Sequence, residues 1–249
     1  MMKRRTALLF ALASGVSPCT FAGSMGGVIA DEMSTVLSLS VGPAWYKEGK
    51  TQTFLLQPDV VKTYEAHRKG DVSGIVEFFY GRQKSLNSHF SGQLGAAFAT
   101  ASSARLSGDI WEDADPDFNN FYYNYKVSHA HFSVKGKLLA EMGYLVTPYL
   151  SGSIGLGFNR AYDFKITSRL FEEVPAPAFG SHTQAVLSYT LGLGLQKQLS
   201  AHWSAGMGYE FADWGKSGLV HAPGQTVNSG LQLSHLYMNQ LQFSLTYLA

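Results

Sequence analysis

Residues 203–211 read Trp203-Ser204-Ala205-Gly206-Met207-Gly208-Tyr209-Glu210-Phe211. The odd positions carry bulky or apolar side chains and the even ones small or polar groups. A period of two is the signature of a β-strand whose faces see different surroundings. Large apolar groups facing serine, glycine and one acid suit a wall with lipid outside and a tight polar lumen inside.

The pattern recurs seven more times. In 35–46, Leu37, Leu39, Val41, Pro43 and Trp45 oppose Ser38, Ser40, Gly42 and Ala44. In 70–83, Val76, Phe78 and Tyr80 oppose Glu77 and Gly81, and in 89–101, Phe90, Leu94, Ala96 and Phe98 oppose Ser91, Gln93, Gly95 and Ala97. In 121–137, Ala130, Phe132 and Val134 alternate with His129, His131, Ser133, Lys135 and Lys137. Segments 147–159, 183–196 and 231–248 complete the set, and the opening stretch belongs to 202–214. Each is long enough to cross a hydrocarbon core as a tilted strand of roughly 9–11 residues. The connections 47–69, 102–120, 160–182 and 215–230 are long, while 84–88, 138–146 and 197–201 are short. Strict alternation of long and short fits extracellular loops and periplasmic turns. The expected fold is all-β: a closed, eight-stranded, antiparallel, up-and-down transmembrane barrel.

Aromatic rings favour membrane interfaces. Trp45, Tyr123, Tyr125, Phe158, Phe211 and Tyr237 are expected to form a girdle at the loop ends. Phe90, Trp203 and Tyr247 are expected to form one at the turn ends.

The N-terminus, Met1-Met2-Lys3-Arg4-Arg5 followed by the apolar Ala7–Ala13, reads as a secretory signal. Thr20-Phe21-Ala22 fits its cleavage site, so the expected organisation is a signal peptide over 1–22 and a barrel over 23–249. The sole cysteine, Cys19, lies inside that signal, and the barrel would therefore lack disulfides. The chain has 19 Lys+Arg and 18 Asp+Glu. Loss of Lys3, Arg4 and Arg5 leaves 16 against 18, with no basic excess to suggest nucleic acid. An exported barrel with even strand number is expected in a bacterial outer membrane, with both termini on the periplasmic side.

With the strands placed, the chain resembles the small outer-membrane barrels that include the OmpA transmembrane domain, OmpX and the opacity-type proteins. The resemblance spans 23–249 and is most specific in Leu241-Gln242-Phe243-Ser244-Leu245-Thr246-Tyr247-Leu248-Ala249. That strand looks like the signal read by the family's assembly machinery, although the family usually ends in an aromatic residue rather than Ala249. The resemblance implies outer-membrane lipid, lipopolysaccharide and the assembly machinery as partners. It implies location more firmly than activity, because the family includes adhesins, immune-evasion proteins and small pores.

Glu77, His129, His131, Lys135, Lys137 and Glu210 share the inward parity and form the expected lumen cluster. Either they fill an eight-stranded interior as a satisfied polar plug or they line a narrow ion path. Asp113, Asp115 and Asp117 begin a calcium-loop spacing that fails at Phe118 and Asn124, so no metal and no cofactor is expected. Ser234-His235 and Ser181-His182 invite a hydrolase reading, but strand neighbours point to opposite faces and no acid partner is visible. The chain is thus not expected to be an enzyme. Phe54, Leu55, Trp111 and Phe179 place apolar groups in the long loops and are the candidate contacts for an extracellular ligand. The leading expectation is surface interaction through displayed loops, with a solute or ion porin second and a lipid hydrolase third.

Overall fold

A computed structural model describes residues 33–46, 49–67, 72–170 and 177–249. The expected signal peptide with Cys19, and Val174-Pro175-Ala176 of the third loop, lie outside those residues. The strands are β1 (Ser34–Tyr46), β2 (Gln52–Gln57), β3 (Val60–Ala66), β4 (Val72–Ser85), β5 (Phe90–Glu112) and β6 (Asn119–Ala140). They continue as β7 (Thr147–Ser168), β8 (His182–Gln198), β9 (Trp203–Asp213), β10 (Ser217–Gly218), β11 (Gln232–Leu233) and β12 (Tyr237–Leu248).

Strands β1, β4, β5, β6, β7, β8, β9 and β12 close into an antiparallel ring in which each pairs with its neighbours along the chain. The seam is β1 on β12: Leu39 stands opposite Leu245 on one side and Phe78 of β4 on the other. Closure satisfies every strand edge within the ring, which a sheet must do to span hydrocarbon. The period-two pattern sorts as expected. Leu94, Phe132, Ile154, Leu156, Leu191 and Leu193 are exposed on the outer wall, while Ser40, Glu77, Ser133, Ser188 and Gln242 are buried inside. Small inward residues make room for large ones. A Cβ on Gly208 would lie 2.2 Å from the Tyr149 hydroxyl, so that glycine is the space the tyrosine occupies.

Two β-bulges change the wall above the apolar belt. On β5 the register shifts between Ala101 and Ala104; between β6 and β7 it shifts at Asn124/Lys126, where Asp163 takes a positive φ of 57°. One extra residue reverses which side chains face inward. Below the β5 bulge Gln93, Ala97, Ala99 and Ala101 are buried; above it Ala104, Leu106 and Ile110 are. On β7 the buried set changes from Ser151, Asn159 and Ala161 to Phe164.

The strands therefore run well past the expected loop boundaries. Most of 102–120 is β5 and β6, joined through a short 3-10 turn at Pro116–Phe118, and 160–168 belongs to β7. Within 47–69, β2 and β3 form a hairpin whose β3 pairs with β5 from Lys62↔Glu112 to Ala66↔Gly108, standing where β4 has ended. The reason for the discrepancy is the bulges: alternation resumes out of phase, which reads as the end of a strand. The eighth barrel strand begins at Tyr237 rather than 231, because 214–236 turns into the mouth instead of extending the wall.

Tyr123 and Tyr125 require a correction. They were expected in the girdle, but both are buried, with Phe121 and Val127, on the inward parity of His129 and His131. Trp45, Phe158 and Trp203 are exposed on the wall, and Phe90, Phe211, Tyr237 and Tyr247 are half-buried. At the outer rims Phe211 stacks on Tyr237 at 5.8 Å, and Trp203 meets Tyr247 at 5.0 Å.

Candidate functional site

The inward faces of β4, β6 and β9 meet in an ion cluster. Lys135 Nζ donates to Glu77 Oε1 at 2.6 Å, to Glu77 Oε2 at 2.9 Å and to Glu210 Oε2 at 2.8 Å. No two of these strands are neighbours in the ring, so the lysine ties the wall together across the lumen. Gln242 Nε2 donates to Glu210 Oε1 at 3.2 Å and to Gln240 Oε1 at 3.1 Å. One turn-ward step along β6, Lys137 Nζ donates to Gln196 Oε1 at 2.7 Å and sits 3.9 Å from the centre of the Tyr149 ring. A buried carboxylate is tolerated when cations and amides satisfy it. The cavity beside the cluster, lined by Ser38, Ser40, Glu77, Lys135 and Tyr149 among others, measures about 40 Å³. That volume holds only a few waters, at roughly 10–15 Å³ of such space for each.

Above the ions lie the two histidines. His129 Nε2 and His131 Nδ1 are 2.9 Å apart, and His129 Nδ1 is 2.5 Å from Asn159 Oδ1. Asn159 Nδ2 in turn donates to the carbonyls of Trp214 and Lys216, at 2.7 and 2.6 Å. The Trp214 ring stacks on His129 with centroids 3.9 Å apart and planes 8° from parallel. The start of the fourth connection is thereby bound to the top of the polar lumen.

Over this level the mouth is packed with apolar groups. Tyr64 of β3 contacts Phe54, Tyr123 and Phe179 at 5.7, 5.6 and 5.2 Å, and Phe164 contacts Phe179 at 5.0 Å. Leu219, Leu231, Leu233 and Leu236 of the fourth connection join the same core. Backbone bonds hold the connections to one another: Thr226 N to Leu56 O at 3.0 Å, and a bridge between Gly180 and Val220. Asn228 Nδ2 donates to Leu55 O at 2.8 Å.

The geometry corrects the expected loop contacts. Phe179 is buried and Phe54 packs against it, so both are core residues of the mouth rather than displayed anchors. Trp111 is a half-buried member of β5, opposite Thr63 and Asn119. Leu55 is exposed. Loop parity was not resolvable from sequence, because two-residue turns and bulges reset it.

No family model matches the chain, and no curated protein matches it. Among solved structures, the outer membrane protein OprG from Pseudomonas aeruginosa is 13% identical, with 86% of this chain and 96% of that one covered and a TM-score of 0.50. The chain has the fold of a small outer-membrane β-barrel. The outer membrane protease OmpT from Escherichia coli is 8% identical, with coverages of 87% and 97% and a TM-score of 0.48. Neisserial surface protein A is 9% identical, with coverages of 87% and 98% and a TM-score of 0.43.

Two rim features remain. Asp115 accepts from Asp117 N at 3.0 Å and caps the short turn between β5 and β6. His235 does have an acid partner that the sequence hid: its Nδ1 is 2.7 Å from Asp213 Oδ2, and Asp213 is buried. The two lie 22 positions apart and meet because Tyr237 pairs with Asp213 in the β9–β12 register. Among the described residues His235 has no serine hydroxyl as hydrogen-bond partner.

Proposed function

We propose that this chain resides in a bacterial outer membrane as a non-conducting barrel that presents a rigid extracellular cap for surface interaction. The observation that carries the reading is the Lys135 ammonium bonded to both Glu77 and Glu210 across the lumen, beneath a mouth filled by Tyr64, Phe179 and the 214–236 segment. An ion path needs water or mobile charge along its length, and here Lys135, Glu77 and Glu210 are bonded to one another, Lys137 to Gln196, and aromatic side chains cover them. The long connections are used twice: their inner faces plug the mouth, and their outer faces offer the turn at Pro58-Asp59, Phe118 and the stretch 223–228. A surface held by backbone bonds between connections loses little conformational freedom on binding, which favours recognition.

Single-channel recording on the refolded protein in a planar bilayer tests this. A folded protein is expected to give no discrete current steps. Reproducible steps that change in Glu77→Ala would replace this reading with a small pore.

A further inference from the structure

The tall wall of β5, β6 and β7 ends in a strand edge. β8 leaves the ladder at His182, opposite Ala161, while β7 continues to Ser168. Residues 165–168 pair with β6 alone, from Asn124↔Lys165 to Phe121↔Ser168. One bond fixes the direction of their main-chain groups: Arg169 N donates to Asn120 O at 2.8 Å. In an antiparallel ladder, adjacent residues point their N–H and C=O groups to opposite sides. Arg169, Thr167 and Lys165 therefore face β6, and Ile166 and Ser168 present their main-chain groups to the open side. Among the described residues no backbone group bonds them there.

The opposite edge of the same wall, β2, is occupied by the chain itself. Leu56 O accepts from Thr226 N and Val227 N at 3.0 and 3.3 Å, and Leu55 O accepts from Asn228 Nδ2 at 2.8 Å. Segment 164–168 of β7 holds no proline and keeps a regular register with β6 from Lys165 onward, so a further strand fits beside it. Its two faces differ. Phe164 and Ile166 turn inward, where Phe164 is buried and Ile166 is a half-buried margin of the mouth's apolar core. Lys165 and Thr167 turn outward and are exposed. Asp163 accepts from both Lys126 and Lys165, at 2.9 and 3.2 Å, so its single negative charge is shared between two cations. The outer side of the edge is left cationic at Lys165. With a rise of about 3.3 Å per residue and a tilt of about 40°, Ile166 stands about 20 Å above Phe158, clear of the apolar belt.

We propose that the 164–168 edge of β7 takes an added antiparallel strand from a partner protein, an extended segment in which apolar and acidic residues alternate. Ile166 and Ser168 supply the main-chain bonds. The partner's apolar side chains extend the mouth core past Ile166, and its acidic ones stand beside Lys165 on the outer face. In such a contact the main-chain bonds give affinity and the alternate side chains give specificity. The inference deepens the surface-interaction reading above and rests on it: it names the site and the chemistry of the partner.

The test is binding of labelled peptides in which valine and glutamate alternate, measured on the refolded protein in detergent. An antiparallel strand with its valines inward points the valine N–H groups at Ile166 and Ser168. A second peptide, N-methylated on its valines, loses those donors and keeps its charge. The parent peptide is expected to bind, and the N-methylated one to bind about tenfold more weakly, the order set by two main-chain hydrogen bonds. Ile166→Pro removes an N–H that faces away from β6, so the β6–β7 ladder stays intact, and the same loss is expected. Lys165→Glu is expected to shift preference to a peptide with lysine in place of glutamate. Each sample is checked for the unboiled gel shift of a folded barrel. Should Ile166→Pro fail to fold, Ser168→Pro is expected to show the loss in its place. No binding of the parent peptide, or equal binding of parent and N-methylated peptides, overturns the proposal. Crosslinking of two Ser168→Cys copies in the absence of peptide overturns it in favour of a second copy of this chain. Current steps in the bilayer recording, with the peptide effects intact, would refute the non-conducting reading and leave the edge assignment standing.

Discussion

Lys135 is the residue on which the interior turns. It sits between two carboxylates, and its removal leaves Glu77 and Glu210 buried with one cation fewer. Breaking a buried pair by deleting one partner costs about 3–5 kcal/mol, much more than the pair contributes relative to apolar groups. Lys135→Met is therefore expected to lower the unfolding free energy measured in urea by that amount, whereas Lys135→Met combined with Glu77→Gln and Glu210→Gln recovers most of the loss. A second residue works above the apolar belt. Partial burial pushes the Asp109 carboxyl up, but hydrogen bonds from Asn119, Arg169 and His67 together hold it below the usual aspartate value. A depressed folded value means the stabilisation is complete above the ordinary aspartate range and is lost as pH falls through the folded value. Proteolytic resistance of the upper β5–β6 wall should thus be weaker in Asp109→Asn than in wild type at neutral pH. The two should converge in strong acid; a difference that persists there contradicts the assignment.

At the scale of elements the ring depends on its seam. β1 and β12 are the first and last barrel strands, and their pairing is interrupted between Val41↔Phe243 and Ala44↔Gln240. Gly42 lies in this gap, where a Cβ would stand 1.8 Å from the Leu241 carbonyl oxygen. No side-chain rotation relieves a clash with backbone, so Gly42→Ala must move one strand against the other. We expect it to destabilise the barrel by about 1–3 kcal/mol and to slow refolding, as read from the appearance of the fast-migrating gel band. Gly42 was legible in the sequence as a small inward residue, but its role was not, since the strand it touches is nearly the whole chain away. The bulges belong to the same scale. Ser102-Ser103 and Asp163 look like the ends of strands because the alternation breaks there. In the folded protein the break is a phase change that continues the wall and aims Arg105 and Lys165 outward.

At the largest scale, the described residues form a barrel with two unlike halves. The lower half is a wall with an apolar outer face around a polar interior; the upper half is a taller, one-sided wall of β5, β6 and β7 with the β2–β3 hairpin, closed by the fourth connection. Such a closed sheet should resist dodecyl sulfate, so the unboiled protein is expected to migrate differently from the boiled one. Identical migration, with recovery from a soluble fraction, would count against a membrane barrel.

Alternation of side chains along each strand is local, and so is its consequence. Eight tilted strands, their inward and outward faces, and the inward parity of Glu77, His129, His131, Lys135, Lys137 and Glu210 follow from residue order alone. Tyr123 and Tyr125 share the parity of His129 and were legible by the same rule; closeness to a loop end was the weaker signal. What residue order does not contain is the partner across space. The lysine bridging two remote carboxylates, the aspartate behind His235, and the tryptophan stacked on His129 each join segments far apart in the chain. Only closure of the ring and the turning-in of 214–236 brought them together. The direction of each connection was likewise decided in three dimensions. An apolar residue in a loop satisfies the hydrophobic effect equally by meeting a partner or by folding back, and in this protein Phe54, Phe179 and Trp214 found apolar surface within the barrel's own mouth.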